Sequence, residues 1–185
     1  EHFQGQKLNP VSTDYVVDDW ARISGEFADL GMHVVFTGHF HSNDIVSRKT
    51  GNSFIYDIET GALVTWPSPW RIVRLQSDRT LQISTRHIES IQYDTKGKAF
   101  QEYAYDYLSG GMRDLVATIL VNMFGLGEAE AQSYAPIMAA AFIAHYHGDE
   151  SMTVEASELI TQLQSAGDVN SLLMASALQA LLKIG

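Results

Sequence analysis

The chain has 185 residues, no cysteine, 22 acidic against 12 basic side chains, and 45% hydrophobic content. That length and apolar fraction suit one folded domain, alone or with a small appendage, and exclude general disorder, while the net charge of -10 argues against a nucleic-acid partner, which needs a basic face. The missing cysteines exclude a disulfide scaffold, a thiolate metal site and a cysteine nucleophile.

No apolar run approaches the roughly 18–20 residues of a membrane span; the most apolar stretch, Ala135 to Ala144, is about half that length and contains Pro136. The chain opens Glu1-His2-Phe3-Gln4 with neither methionine nor a signal-like pattern, so the expectation is a piece cut from a longer polypeptide.

In chain order, Ser12 to Leu30 carries Val16, Val17, Trp20, Ile23, Phe27 and Leu30 at helical spacing, with Ser12 or Thr13 as N-cap and Gly31 as stop. His33 to Thr37 is a short β-branched run, as in a buried strand, with His33 a structural residue at its start. Further strands are expected at Ser53–Ile58, Ala62–Trp66, Arg71–Leu75 and Thr80–Thr85, separated by Thr50-Gly51-Asn52, Glu59-Thr60-Gly61, Pro67-Ser68-Pro69 and Ser77-Asp78-Arg79.

Beyond residue 100 the pattern turns helical: Leu108–Phe124, Glu128–His147, Thr153–Ala166 and Val169–Ile184, punctuated by Gly125, Gly127, Gly148 and Gly167. The charge shifts at the same place. Residues 1–100 carry 12 acidic and 10 basic side chains, whereas 101–185 carry 10 acidic ones against Arg113 and Lys183 alone. Both changes place a boundary near residue 100.

One constellation carries chemistry. Thr37-Gly38-His39-Phe40-His41-Ser42-Asn43-Asp44 follows directly on the expected buried strand, and Gly38 lets the chain bend so that the two imidazoles converge. Neutral imidazoles are common metal ligands, and the carboxyl end of a strand in an α/β sheet is where such sheets place ligands. His145 and His147 stand at i, i+2 on a helix, where side chains diverge, and are read as end-of-helix histidines. Trp66, Trp70 and the adjoining prolines are read as a packed corner between strands.

The flanks discriminate among His-x-His families. The metallo-β-lactamase pattern needs Asp where Asn43 stands, the cupin pattern needs a Glu shortly after His41, and the amidohydrolase barrel needs alternating strands and helices that do not follow. Strand-Gly-His-x-His, followed by Glu59-Thr60-Gly61-Ala62-Leu63 and Pro67-Ser68-Pro69-Trp70-Arg71, resembles the carboxyl-terminal part of the calcineurin-like metallophosphoesterases, over about residues 12–90. That family's Asp-x-His, Gly-Asp-x-x-Asp and Gly-Asn-His motifs do not occur in this sequence.

The resemblance implies an α/β fold, α+β within this chain. Residues 1–100 would be the carboxyl-terminal half of a metallophosphoesterase α/β sandwich, and 101–185 a small helical segment. It further implies His39 and His41 as ligands of two divalent ions (Mn, Fe or Zn) in the full-length protein, a phosphoester substrate, and a chain inactive by itself because the other ligands lie upstream. His2 and the segment preceding it compete for the family's isolated histidine. The rival reading is a non-catalytic interaction module that uses the acidic helical half. With half the sandwich missing, the sheet would expose an apolar face or edge, which implies a homodimer.

Overall fold

A computed structural model describes residues 16–148 and 150–182. The expected N-cap at Ser12 or Thr13, and His2, lie outside the described residues. Helix α1 spans Trp20–Asp29 with Asp19 before its first turn, so Val16 and Val17, expected within it, precede its start, and Gly31 at φ 84 ends it as expected. It turns Ser24 and Ala28 towards a three-stranded sheet of β1 (Val34–Thr37), β2 (Ile45–Thr50) and β3 (Ser53–Glu59), in the order β1-β3-β2. β3 runs parallel to β1 and antiparallel to β2.

β2 was not foreseen, since only Ile45 and Val46 of its six residues are aliphatic. Its place is fixed by Arg48, whose guanidinium donates to Ser24 Oγ at 2.6 Å and to the Ala21 carbonyl at 3.2 Å. The same group lies 4.5 Å from the Trp20 ring centroid, a cation–π contact that locks α1 onto the sheet. A two-residue loop, Gly51-Asn52, joins β2 to β3.

Ala62–Trp66 is not a strand. The segment folds into consecutive turns, with Thr65 N donating to Ala62 O at 3.2 Å and Ser68 N to Thr65 O at 2.7 Å. Its β-branched residues gave a strand-like pattern, but Gly61 and two prolines bracket it, and a proline offers a neighbouring strand no N–H. A separate antiparallel pair follows, β4 (Pro69–Leu75) and β5 (Leu81–His87).

The second half is four helices: α2 (Phe100–Asn122), α3 (Glu128–His147), α4 (Val154–Ala166) and α5 (Val169–Leu181). α2 starts a full two turns before the expected Leu108, because the Tyr103, Tyr105 and Tyr107 stretch is helical despite its aromatic content. Leu120, Ala131, Ala135, Leu159, Met174 and Leu178 are among the buried residues of one apolar core. Thr153 accepts a hydrogen bond from Ala156 N, and Asp168 from Ser171 N, capping α4 and α5 where the sequence placed helix starts. The described residues form an α+β arrangement, five helices with one three-stranded and one two-stranded sheet. Among the described residues, no helix is long and apolar enough to cross a membrane.

Candidate functional site

Residues 38–44 form the loop that leaves the carboxyl end of β1 and enters β2. Both motif histidines sit at positive φ, His39 at 92° and His41 at 65°. Such backbone costs roughly 1–3 kcal/mol per non-glycine residue and persists only where the surroundings over-determine it.

The surroundings here do so from several sides. Glu59, fully buried at the end of β3, accepts the Phe40 N–H between the two histidines at 3.1 Å. Gly61 approaches so closely that a Cβ there would lie 2.9 Å from the His41 carbonyl oxygen and 2.8 Å from Pro69 Cγ. Ser42, also buried, donates from Oγ to the His145 carbonyl at 3.2 Å. The Asp44 carbonyl accepts from Glu59 N at 3.0 Å and from Arg71 Nη1 at 3.1 Å. Burial pushes the Arg71 guanidinium below its ordinary pKa, and the carboxylates of Asp44 and Glu59 oppose that shift.

The far side of the loop is closed by the end of α3. Gly148 at φ 76 brings its Cα against the Asn43 carbonyl, where a Cβ would lie 2.4 Å from the oxygen. His145 is fully buried; its Nδ1 lies 3.0 Å from Glu150 Oε1, and its ring meets Phe40 edge-on at 4.4 Å. His147 instead stacks on Trp66 at 5.0 Å, and Trp66 meets Tyr105 of α2 edge-on at 5.2 Å. The two α3 histidines therefore diverge, as their spacing requires, but one of them faces the motif. Trp66 packs between the two halves, whereas Trp70 is exposed. His33 stacks on Phe54, with Nδ1 2.8 Å from the Phe54 carbonyl oxygen.

His39 is exposed and His41 half-buried, and both line a cavity of about 230 Å³ together with His145. Burial, and secondarily the nearness of His39, push the His41 imidazole below its ordinary pKa. That favours the neutral form, the one that coordinates metal. The donor chemistry of the pair thus fits two ligands of an ion site. Among the described residues no group of three or more His, Asp or Glu side chains completes one.

Two parts of this site escaped the sequence reading. Glu59 was visible only as a turn residue, since the strand end before it already carries a second carboxylate, Asp57. His145 was set aside with His147 on spacing alone, which says that one of the two faces inward without saying which. No protein-family model matches the chain, and no curated protein matches it in sequence.

Proposed function

We propose that this chain is part of a metal-dependent phosphoester hydrolase in which His39 and His41 are metal ligands. The observation that carries this reading is the positive φ of both histidines, braced by the buried Glu59 and the close approach of Gly61. A loop held in costly backbone at a strand's carboxyl end presents two imidazoles on one short segment, which simple packing does not require. Bound divalent ions supply Lewis-acid stabilisation of phosphoryl oxygens and a hydroxide nucleophile at neutral pH. The chain's own residues hold the imidazoles: Glu59 fixes Phe40, Arg71 fixes Asp44, and partial burial shifts His41 towards its neutral form.

Zinc titration by calorimetry tests the assignment. His39→Ala and His41→Ala should each weaken binding by about tenfold or more, and His33→Ala should leave it unchanged. Equal affinity in all four proteins would remove the metal reading. The 185-residue chain alone should show negligible manganese-dependent turnover of an aryl phosphate, because the described residues supply only part of a ligand set.

The first sheet also bears on association. α1 covers the face of Ile55 and Asp57, while Phe36, Ile45, Phe54 and Tyr56 are exposed, and the register puts them on the opposite face. A second copy of this chain covers that face in the proposed homodimer. Light scattering across a dilution series reaching on the order of tens of micromolar should give twice the chain mass at its upper end, since large contiguous apolar patches seldom stay exposed on monomers. A monomer mass there rejects the dimer.

A further inference from the structure

Three of the four helices wall the space beside His39 and His41. α2 contributes Val116 and Leu120, α3 Met138 and Phe142, and α5 Ala177 and Leu181. Exposure falls along this cavity, from the exposed His39 through the half-buried His41 to the buried Leu120 and Leu181. Close-packed interiors keep few voids larger than a water molecule. An engineered apolar cavity of about 150 Å³ stays dry and takes up benzene. At about 230 Å³ this one has room for an aromatic ring or a short alkyl chain.

Resting on the phosphoester reading above, we infer that this cavity holds the apolar ester arm of the ligand, an aryl or short alkyl group, while its phosphoryl group lies at His39 and His41. The lining is graded as such a molecule is, with His39 and His41 at its more exposed end and mostly hydrocarbon beyond them, among which the buried His145 and the half-buried Tyr146 are the polar exceptions. A sugar or peptide arm would carry several hydrogen-bonding groups into walls made mostly of Val, Ile, Leu, Met and Phe, where His145 and Tyr146 are the few polar side chains beyond the motif, at a cost in affinity. The helical half is thereby the part that selects the ester, and the sheet half the part that holds the phosphoryl group.

The test uses the full chain loaded with zinc and two probes, phenylphosphonate and methylphosphonate. Phenylphosphonate should bind about tenfold or more tightly, since burying the ring removes apolar surface from water. It should shift the methyl resonances of Val116, Leu120 and Leu181, and methylphosphonate should not. Ala177→Phe fills the cavity from α5 and should abolish the preference for phenylphosphonate. Equal affinity for the two probes, or unshifted methyl resonances in the wild-type chain, would overturn the inference even if that variant fails to fold. The two readings fail differently. If neither phosphonate binds but benzene still shifts those methyls, the apolar site stands and the phosphoester reading falls. If methylphosphonate binds and the phenyl group adds nothing, the phosphoester reading stands and the inference falls.

Discussion

From Met112 to Leu182 the buried side chains are mostly Leu, Ala, Met, Val and Ile, gathered in a single cluster. From Val16 to Ala99 the buried hydrocarbon side chains reduce to Ala28, Ile55, Ile58, Pro67 and Pro69, beside Ser24, Ser42, Asp57, Glu59, Thr65 and Ser68. Backbone strain divides the same way. Every non-glycine residue at positive φ among those described, from Asp19 to Lys96, lies in the sheet half. The helical half is held by hydrocarbon burial in relaxed geometry. The sheet half is held by buried polar contacts and close backbone approaches that keep a costly loop in place. Strain of that kind persists where function needs a fixed shape, and a neighbouring apolar core supplies the stability that the strained part lacks.

The largest effect expected from this contrast lies in the helical core. Leu178 is wholly buried, so Leu178→Ala should cost about 3 kcal/mol through lost burial and a residual cavity. Urea unfolding followed by helical circular dichroism measures it, and a loss below about 1 kcal/mol would show a core that collapses around the gap. Glu59→Ala is next. It removes the carboxylate that accepts the Phe40 N–H, at about 2 kcal/mol, and should loosen the loop enough to weaken zinc binding to His39 and His41. Glu59→Gln retains a carbonyl acceptor and should restore most of the zinc affinity. If both variants bind zinc as the wild type does, the polar bracing does not position the histidines.

The helical half was the more legible in sequence because one signal, the 3.6-residue repeat with glycine stops, is also what stabilises it. α3, α4 and the start of α5 lie within a few residues of expectation, whereas Ile184, the expected end of α5, lies outside the described residues. Only the start of α2 was misplaced, at a tyrosine-rich stretch. In the sheet half, local composition and tertiary contact disagree. Ala62–Trp66 looks like a strand and is a chain of turns. Ile45–Thr50 looks like a polar loop and is a strand, because Arg48 finds its partners in α1, more than twenty residues away. The motif histidines were legible from residue type and from the strand before them. Their brace was not, since Glu59 reaches Phe40 across a parallel strand pair whose register no local pattern encodes.

Gly148 tests the seam between the two regions. At φ 76, with the Asn43 carbonyl where a Cβ would stand, alanine meets both backbone strain and a backbone clash. Gly148→Ala should cost about 1–2 kcal/mol. It should also push α3 away from the loop, weakening the Ser42–His145 bond while the helical core stays folded. Amide exchange would then quicken at residues 40–45 and remain slow in α2 and α5. Uniform acceleration across the helices would mean that the seam supports the core as well as the loop.

The smallest effect sharpens the comparison most, because it is confined to one side. Thr153 lies just before α4 and accepts the Ala156 N–H at 3.1 Å, satisfying one of the amides that a helix start leaves without an intrahelical acceptor. Thr153→Ala removes that acceptor and should cost about 1 kcal/mol of stability. Its first turn buries Ala156 against the helical core, so the loss is felt there and not at the loop after β1. The urea midpoint should therefore fall while zinc affinity at His39 and His41 stays at the wild-type value. Glu59→Ala predicts a larger stability loss accompanied by weaker zinc binding, so the two variants differ in kind as well as in size. If Thr153→Ala weakened zinc binding in proportion to its stability loss, the motif loop would be reporting global stability. The division between a stabilising half and a strained half would then be wrong.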